Sequence, residues 1–338
     1  AIRVTPAARA RAGADAYSQE DSVTLTGSPR GRRALVLGGG GAYGIVQAAY
    51  IRAAVEAGYR PDLVVGTSVG ALNGAWVAIH PDEPDGLMEI WRGLPSFRVL
   101  PLNPFRLATR LARGPRAVRD NDLVTFLIES HIGPLKFEDT RLELAVVATN
   151  LTRGRKHVFR EGPLGQALAA STAIPGVFEP VDIAGELFVD GCITASVDIA
   201  TAIQAGATEV LAIDLTPPPA NGSRPRTALG VLSQSFRVLT HATTEAMEAI
   251  AGQAATVRVV RPDLVGLSPW TFTAREGLVE RYLAAARAEL SGIVDPLGRL
   301  TVAVEPAPTS QAQSPPQQRL APPRLRMLSR RDRRTDAA

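Results

Sequence analysis

Cysteine and histidine are scarce in this chain of 338 residues, which contains one cysteine, Cys192, and four histidines. A single cysteine cannot form an internal disulfide, so nothing in the sequence points to an oxidising compartment. Cys and His residues at metal-ligand spacing are also missing. We therefore expect neither a metal nor another cofactor.

The sequence also lacks a long, uninterrupted apolar segment. Two uncharged runs, residues 34–51 and 63–79, approach the length of a membrane span, but glycines interrupt both at turn spacing. We interpret each run as a buried strand, a turn and a buried helix. The apolar core of a signal peptide is missing as well. These features predict a cytoplasmic or peripheral membrane protein.

The excess of basic residues is confined to the two ends of the chain. The formal net charge is +4, yet residues 306–338 carry seven Arg and two Asp, and residues 1–33 carry six Arg and three acidic side chains. The intervening residues 34–305 therefore have a net charge of −4. This distribution argues against specific nucleic-acid binding and is typical of solvated tails. Anchoring to an anionic membrane is the alternative, although it generally needs a second attachment signal.

Composition divides the chain into three regions. Residues 1–33 are expected to form a basic, loosely ordered arm, and residues 305–338 a disordered Pro/Arg-rich tail. Residues 34–304 form the folded domain. Within it, the pattern of residues 81–120 predicts short helices in an insertion that could cover a site.

Buried strands alternate with helices through the central region. The strand-like segments are ALVL (34–37), DLVVG (62–66), LELAVVATN (142–150) and EVLAIDL (209–215). Helical patterns separate or follow them. This alternation predicts an α/β fold with an open, largely parallel sheet and helices on both faces.

The pentapeptide GTSVG, residues 66–70, has the G-x-S-x-G pattern of a nucleophile elbow. It follows a buried strand and precedes an Ala-rich helix, which is the context that such a turn requires. Ser68 is therefore the candidate nucleophile, with the helix N-terminus beyond it favouring an oxyanion. A purely structural turn is the alternative.

A serine nucleophile also needs N–H donors aimed at the developing oxyanion. The glycines of GGGGAYG, residues 38–44, can point successive backbone N–H groups outward at a strand-to-helix turn. A dinucleotide pattern, GxGxxG, can be read at Gly39, Gly41 and Gly44. However, no acidic residue closes a following strand about 20 residues further on, where a ribose partner is expected.

Two residues are candidates for the base that activates Ser68. Asp190 follows a short strand in LFVDGC, and Gly191 permits a tight turn that leaves the carboxylate free. An ordinary Asp-Gly turn is the alternative. His241 has the chain order of an α/β-hydrolase triad but lies within a predicted helix. We interpret Cys192 as a small buried residue.

Four blocks, taken together, resemble the bacterial type of patatin-like phospholipase. GGGGAYG resembles the glycine-rich oxyanion loop of that family and GTSVG its nucleophile elbow. ASTAIPGVFEP, residues 170–180, resembles its A-S-x-A-I-P-G-x-F-x-P block, and VDGC its aspartate motif. The blocks occur in the family's order and spread from residue 34 to about 215.

The resemblance implies a patatin-like three-layer sandwich with a mostly parallel central sheet, and a Ser-Asp dyad without histidine. Ser68 would be the nucleophile and Asp190 the general base. The oxyanion hole would consist of the backbone N–H groups of Gly39, Gly40 and Gly41. The implied activity is that of a serine lipid acyl hydrolase, which cleaves esters of phospholipids or acylglycerols through an acyl-serine intermediate.

Two departures from the family pattern bear on substrate preference. Tyr43 stands where the family usually has Arg or Lys, and Asp190 is followed by Gly-Cys instead of Gly-Gly. A non-catalytic binding module with the same fold, a triad hydrolase using His241 and a nucleotide binder remain alternatives. Apolar and Arg side chains between residues 94 and 119 suit contact with an acyl chain or an anionic membrane.

Overall fold

The computed structural model describes residues 31–94, 96–98, 122–217, 224–226, 228–272 and 277–301. The tail from residue 305 and all but the last three residues of the basic arm lie outside these ranges. So does most of the insertion, from residue 99 to residue 120. The arm, the tail and the membrane contacts of the insertion therefore stay predictions.

The strands of the described residues are short and mostly buried. In chain order they are β1 (Arg33–Leu37), β2 (Leu63–Thr67), β3 (Phe97–Arg98), β4 (Glu143–Asn150), β5 (Arg155–Phe159), β6 (Val181–Ile183), β7 (Glu186–Asp190), β8 (Glu209–Ile213), β9 (Thr256–Val260) and β10 (Thr271–Phe272).

The helices separate these strands or follow them. They are α1 (Gly44–Glu56), α2 (Val69–Ile79), α3 (Pro84–Gly93), α4 (Asp122–His131), α5 (Leu164–Ser171), α6 (Ile199–Gln204), α7 (Ala228–Ala251) and α8 (Leu278–Leu290). None of the helices in the described ranges is long and apolar enough to cross a membrane.

The main sheet is mostly parallel, as the sequence predicts. Its described strands follow the order β6-β7-β4-β2-β1-β8-β9, and β5 also pairs with β4. The pairs β1–β2, β1–β8, β2–β4 and β8–β9 are parallel. β5 and β7 pair antiparallel with β4, and β6 pairs antiparallel with β7. Strands β3 and β10 form a separate two-stranded antiparallel sheet.

Two hydrophobic layers cover the faces of the main sheet. Leu35 and Leu37 of β1 pack in a layer with residues of α1, α2 and α8. Ala34 and Val36 point to the other face and pack with residues of α6 and the end of α7. Because both faces are buried at the centre of the sheet, the central strands β1, β2, β4 and β8 are mostly apolar and lack polar alternation. The three-layer architecture predicted from the sequence is confirmed.

A buried polar network fixes the glycine loop against the neighbouring helices. Asn73 Nδ2 donates to the carbonyl oxygen of Gly44 at 3.0 Å and to Gln47 Oε1 at 2.9 Å. Gln47 Nε2 donates to the Gly38 carbonyl oxygen at 3.0 Å, and Trp91 Nε1 donates to Asn73 Oδ1 at 2.9 Å. The network holds both ends of the loop. A buried amide that lacks its hydrogen-bond partners destabilises the folded protein, so movement of the loop away from these side chains is unfavourable.

The sequence analysis does not predict strand β6 or the hairpin that joins it to β7. The turn residues Ala184 and Gly185 have φ values of 54° and 82°. Tight hairpins favour this left-handed region, and Asn-Gly or Asp-Gly is its usual sequence signal. Alanine in the first position conceals the turn. The hairpin matters because its second strand ends at Asp190.

Candidate active site

Ser68 occupies a sharp turn between a strand and a helix. It follows Thr67, the last residue of β2, and precedes Val69, the first residue of α2. Its φ and ψ are 56° and −125°, a combination that costs a non-glycine residue about 1–3 kcal/mol. Such strain is typical of a nucleophile elbow, which holds the serine side chain clear of the adjoining backbone.

The fold brings Ser68 and Asp190 together although 122 residues separate them. Ser68 Oγ donates a hydrogen bond to Asp190 Oδ2 at 2.6 Å, and the two residues are only 5% and 3% exposed. The other carboxylate oxygen, Oδ1, accepts the backbone N–H of Cys192 at 2.8 Å. The carboxylate is thereby oriented toward the serine by its own turn.

Burial raises the pKa of Asp190 above the usual value of an aspartate, and the hydrogen bonds from Ser68 and Cys192 offset part of this rise. A carboxylate with a raised pKa is a stronger base than a solvated one. It can therefore accept the proton of a serine hydroxyl more readily during nucleophilic attack.

Sterics explain the bare backbone of the loop before α1. A Cβ atom on Gly39 would collide with Cys192 Sγ and lie 3.1 Å from the Cβ of Ser68. Gly41 has a φ of +55°, and a Cβ there would lie 2.5 Å from the carbonyl oxygen of Pro269. A side chain at position 39 would fill the space beside Ser68.

The three predicted oxyanion donors are not equivalent. The N–H of Gly39 donates to the carbonyl oxygen of Ser196 at 3.2 Å, so it is already engaged. The N–H groups of Gly40 and Gly41 have no acceptor within the described part of the chain. The N–H groups of Gly40 and Gly41 are therefore better placed to serve as donors than that of Gly39. The oxyanion hole of Gly39, Gly40 and Gly41 stays a prediction.

Ser171 is a site residue that the sequence analysis misses. Its Oγ accepts the backbone N–H of Ser68 at 2.9 Å and donates to the carbonyl oxygen of Val147 at 2.6 Å. The side chain is fully buried. Ser171 is the second residue of ASTAIPGVFEP, so the block that carries the family resemblance also contained the signal for this residue. It satisfies the N–H of the strained elbow residue.

A cavity of about 410 Å³ opens at the dyad. Ser68, Asp190 and Gly39 to Gly41 belong to its lining. Apolar side chains supply much of the remaining surface, among them Ile174, Leu215, Phe236, Leu267 and Trp270. Its volume and lining match those of a small-molecule site with a few convergent polar groups.

The surroundings of two other candidate residues do not favour a role as nucleophile or base. Burial, together with the nearby charge of Asp190, raises the pKa of the Cys192 thiol well above its usual range, which keeps the thiol protonated and weakly nucleophilic. His241 is not among the described residues that line the cavity. Its Nε2 lies 3.3 Å from Oε1 of Glu245 on the same helix.

The family model for patatin-like phospholipases matches residues 35–203, which is half of the chain. Uncharacterized NTE family proteins of Mycobacterium tuberculosis and Mycobacterium bovis are 32% identical to this chain over 209 residues, which cover 60% of it and 54% of each relative. Lysophospholipase NTE1 of Phaeosphaeria nodorum is 30% identical over 181 residues, which cover 54% of this chain and 12% of that protein. The chain thus spans about half the length of the mycobacterial relatives.

Two solved structures are also similar to the chain. VipD from Legionella pneumophila shares 14% sequence identity at a TM-score of 0.48, over 78% of this chain and 67% of that one. The type III effector protein ExoU shares 15% identity at a TM-score of 0.40, over 78% of this chain and 53% of that one.

Removal of the Ser171 hydroxyl tests its positioning role. Ser171→Ala leaves the Ser68 N–H buried without its acceptor, a loss of about 1–3 kcal/mol for a buried group. We expect a lower melting temperature for this variant. At temperatures well below that melting temperature, we also expect Ser68 to react roughly tenfold more slowly with an organophosphonate, because the elbow loosens. Ser291→Ala, at an exposed serine, is the matched control. Unchanged labelling kinetics in Ser171→Ala would remove Ser171 from the site.

The pH dependence of ester hydrolysis tests the raised pKa of Asp190. Only the ionised carboxylate can accept the proton of Ser68, so kcat/KM must fall as the pH falls through the Asp190 pKa. An ordinary aspartate titrates near about pH 4, and we expect this fall in kcat/KM to begin at a higher pH. The assay is hydrolysis of p-nitrophenyl butyrate, and circular dichroism at each pH checks that the protein stays folded. Constant kcat/KM down to about pH 4 would contradict the assignment.

Proposed function

Because the chain belongs to the patatin-like phospholipase family, we propose that it is a serine lipid acyl hydrolase with a Ser68–Asp190 dyad. It would cleave carboxylic esters of phospholipids or acylglycerols through an acyl-serine intermediate. The observation that carries this proposal is the 2.6 Å hydrogen bond from Ser68 Oγ to Asp190 Oδ2. It lies in one cavity with the glycine loop.

In the acylation step, Ser68 Oγ attacks the carbonyl carbon of the ester while its proton passes to Asp190 Oδ2. The carbonyl oxygen becomes an oxyanion and accepts hydrogen bonds from the N–H groups of Gly40 and Gly41. One such donor is worth about 3 kcal/mol in comparable enzymes. Collapse of the intermediate breaks the bond to the alcohol, which receives the proton from Asp190, and leaves the acyl group on Ser68.

Deacylation repeats these roles with water. Asp190 accepts a proton from a water molecule as the water oxygen attacks the acyl-serine carbonyl, and the same N–H groups stabilise the second oxyanion. The carboxylic acid leaves and Ser68 recovers its proton from Asp190. A single buried carboxylate can serve both steps because each proton that it accepts is returned within the step.

The cavity and the relatives support the proposed substrate class. The apolar lining is suited to an acyl chain, since each buried methylene group contributes about 0.8 kcal/mol. The fungal relative is named a lysophospholipase, and we extend that activity to this chain as part of the proposal.

Peripheral contact with a membrane is the second part of the proposal. Helix α7 exposes an apolar stripe at the spacing of one helix face, formed by Phe236, Leu239, Met247 and Ile250. Phe236 also lines the cavity. A lipid could thus pass from a membrane surface into the cavity past this helix.

The alternative from a different class is a patatin-fold binding module that does not turn over lipid. It shares the fold and the cavity, and it differs in predicting an unreactive Ser68. A triad hydrolase is less well supported, because His241 lies outside the described cavity lining.

Activity of variants at three residues separates these hypotheses. We expect Ser68→Ala and Asp190→Asn to lose about a thousandfold or more in kcat on p-nitrophenyl butyrate, and the double variant to lose little more, because the two groups act as a unit. His241→Ala is the control that retains activity. Mass spectrometry after organophosphonate treatment should place the label on Ser68.

Two results would contradict the proposal. Wild-type protein that neither hydrolyses esters nor reacts with the phosphonate would favour the binding module. Loss of activity in His241→Ala, with a melting temperature equal to that of the wild type, would favour the triad.

A further inference from the structure

The described lining of the Ser68 cavity contains one basic side chain, Arg237. It is partly buried and belongs to α7, Ala228–Ala251. That helix lies beyond residues 35–203, the stretch that the family model matches. The cavity thus receives a positive charge from a part of the chain that the family match does not cover.

Arg237 is close to the glycine loop. Burial raises the pKa of Tyr43, and the positive charge of Arg237 lowers it. A charge has such an effect only at short range, so the two side chains are near each other. Tyr43 and Arg237 line the same cavity as Ser68. Arg237 therefore lines the cavity that a substrate would enter to bring its ester carbonyl to Ser68 Oγ.

The charges in this cavity are few. Asp190 is the acidic side chain in the described lining, and its work in hydrolysis is to accept a proton. Most other side chains there are apolar or carry a hydroxyl group. In such surroundings a cation attracts an anion more strongly than it does in water. A guanidinium also presents several N–H donors in a fork that matches the oxygens of a phosphate.

We propose that Arg237 binds the phosphodiester group of a glycerophospholipid and so makes the protein prefer phospholipids to neutral acylglycerols. This inference rests on the proposed hydrolase function. A phosphodiester carries a single negative charge, which one guanidinium can neutralise. The acyl chain then occupies the apolar lining, the ester lies at Ser68 and the head group lies toward α7.

A substrate pair that differs only in the phosphocholine head group, which contains the phosphodiester, tests the proposal. Palmitoyl lysophosphatidylcholine and monopalmitoylglycerol would be supplied in the same neutral detergent micelles to wild type, Arg237→Gln, Arg237→Lys and Arg226→Gln. Arg226 is exposed and absent from the cavity lining, so its variant controls for lost charge.

For Arg237→Gln we expect the ratio of kcat/KM for the phospholipid over the acylglycerol to fall roughly 10- to 100-fold, as expected for a lost charge-assisted hydrogen bond. The change should appear mainly in KM, and Arg237→Lys should recover part of it. Equal losses on both substrates would show a structural role for Arg237 and overturn the proposal. An unchanged ratio of the two kcat/KM values would likewise overturn the proposal.

A binding measurement separates this inference from the proposed hydrolase function. Hexadecylphosphocholine has the phosphodiester but no carboxylic ester, so calorimetric titration with it needs no turnover. Weaker binding to Arg237→Gln than to wild type would support the head-group site even if no ester were hydrolysed, and equal binding would overturn it. A titration with inorganic phosphate completes the experiment. If phosphate bound as tightly as the lipid, the site would be one for free anions, and the lipid assignment would be contradicted.

Discussion

The hydrogen bond between Ser68 and Asp190 is the interaction on which the rest of the site depends. It joins the end of β2 to the end of β7, and it requires that both groups leave water. A buried carboxylate is costly, and the structure reduces that cost with donors from Ser68 and from the Cys192 backbone. The residual cost appears as the raised pKa of Asp190. The property that suits Asp190 to the proposed role of general base is therefore a consequence of its burial.

The neighbouring elements are arranged so that this pair keeps its geometry. Ser171 satisfies the backbone of the strained elbow, and the Asn73–Gln47 network holds the glycine loop at both ends. Glycine at position 39 leaves space for Cys192 and Ser68, which shows why the loop tolerates no side chain there. Rigid support of this kind is what preorganised stabilisation of an oxyanion requires.

Much of this arrangement can be predicted from sequence, for reasons that are local. Buried parallel strands are apolar on both faces, so β1, β2, β4 and β8 are recognisable, and the strand before Ser68 identifies the elbow. Three features depend on contacts between distant residues and cannot be read from the pattern. These are the engagement of the Gly39 N–H by Ser196, the role of Ser171, and the entry of Arg237 into the cavity. The last of these also changes how Tyr43 is interpreted, because the loop lacks a basic residue but the cavity does not.

The most direct test of the proposed Ser68–Asp190 dyad is a crystal structure of the protein after reaction with an alkyl phosphonate ester, which mimics the tetrahedral intermediate. We expect the phosphorus to be bonded to Ser68 Oγ and the phosphonyl oxygen to lie about 2.7–3.1 Å from the nitrogens of Gly40 and Gly41. We also expect the Asp190 carboxylate to remain beside Ser68. A phosphonyl oxygen directed away from the glycine loop, or phosphorus bonded to another residue, would contradict the proposal.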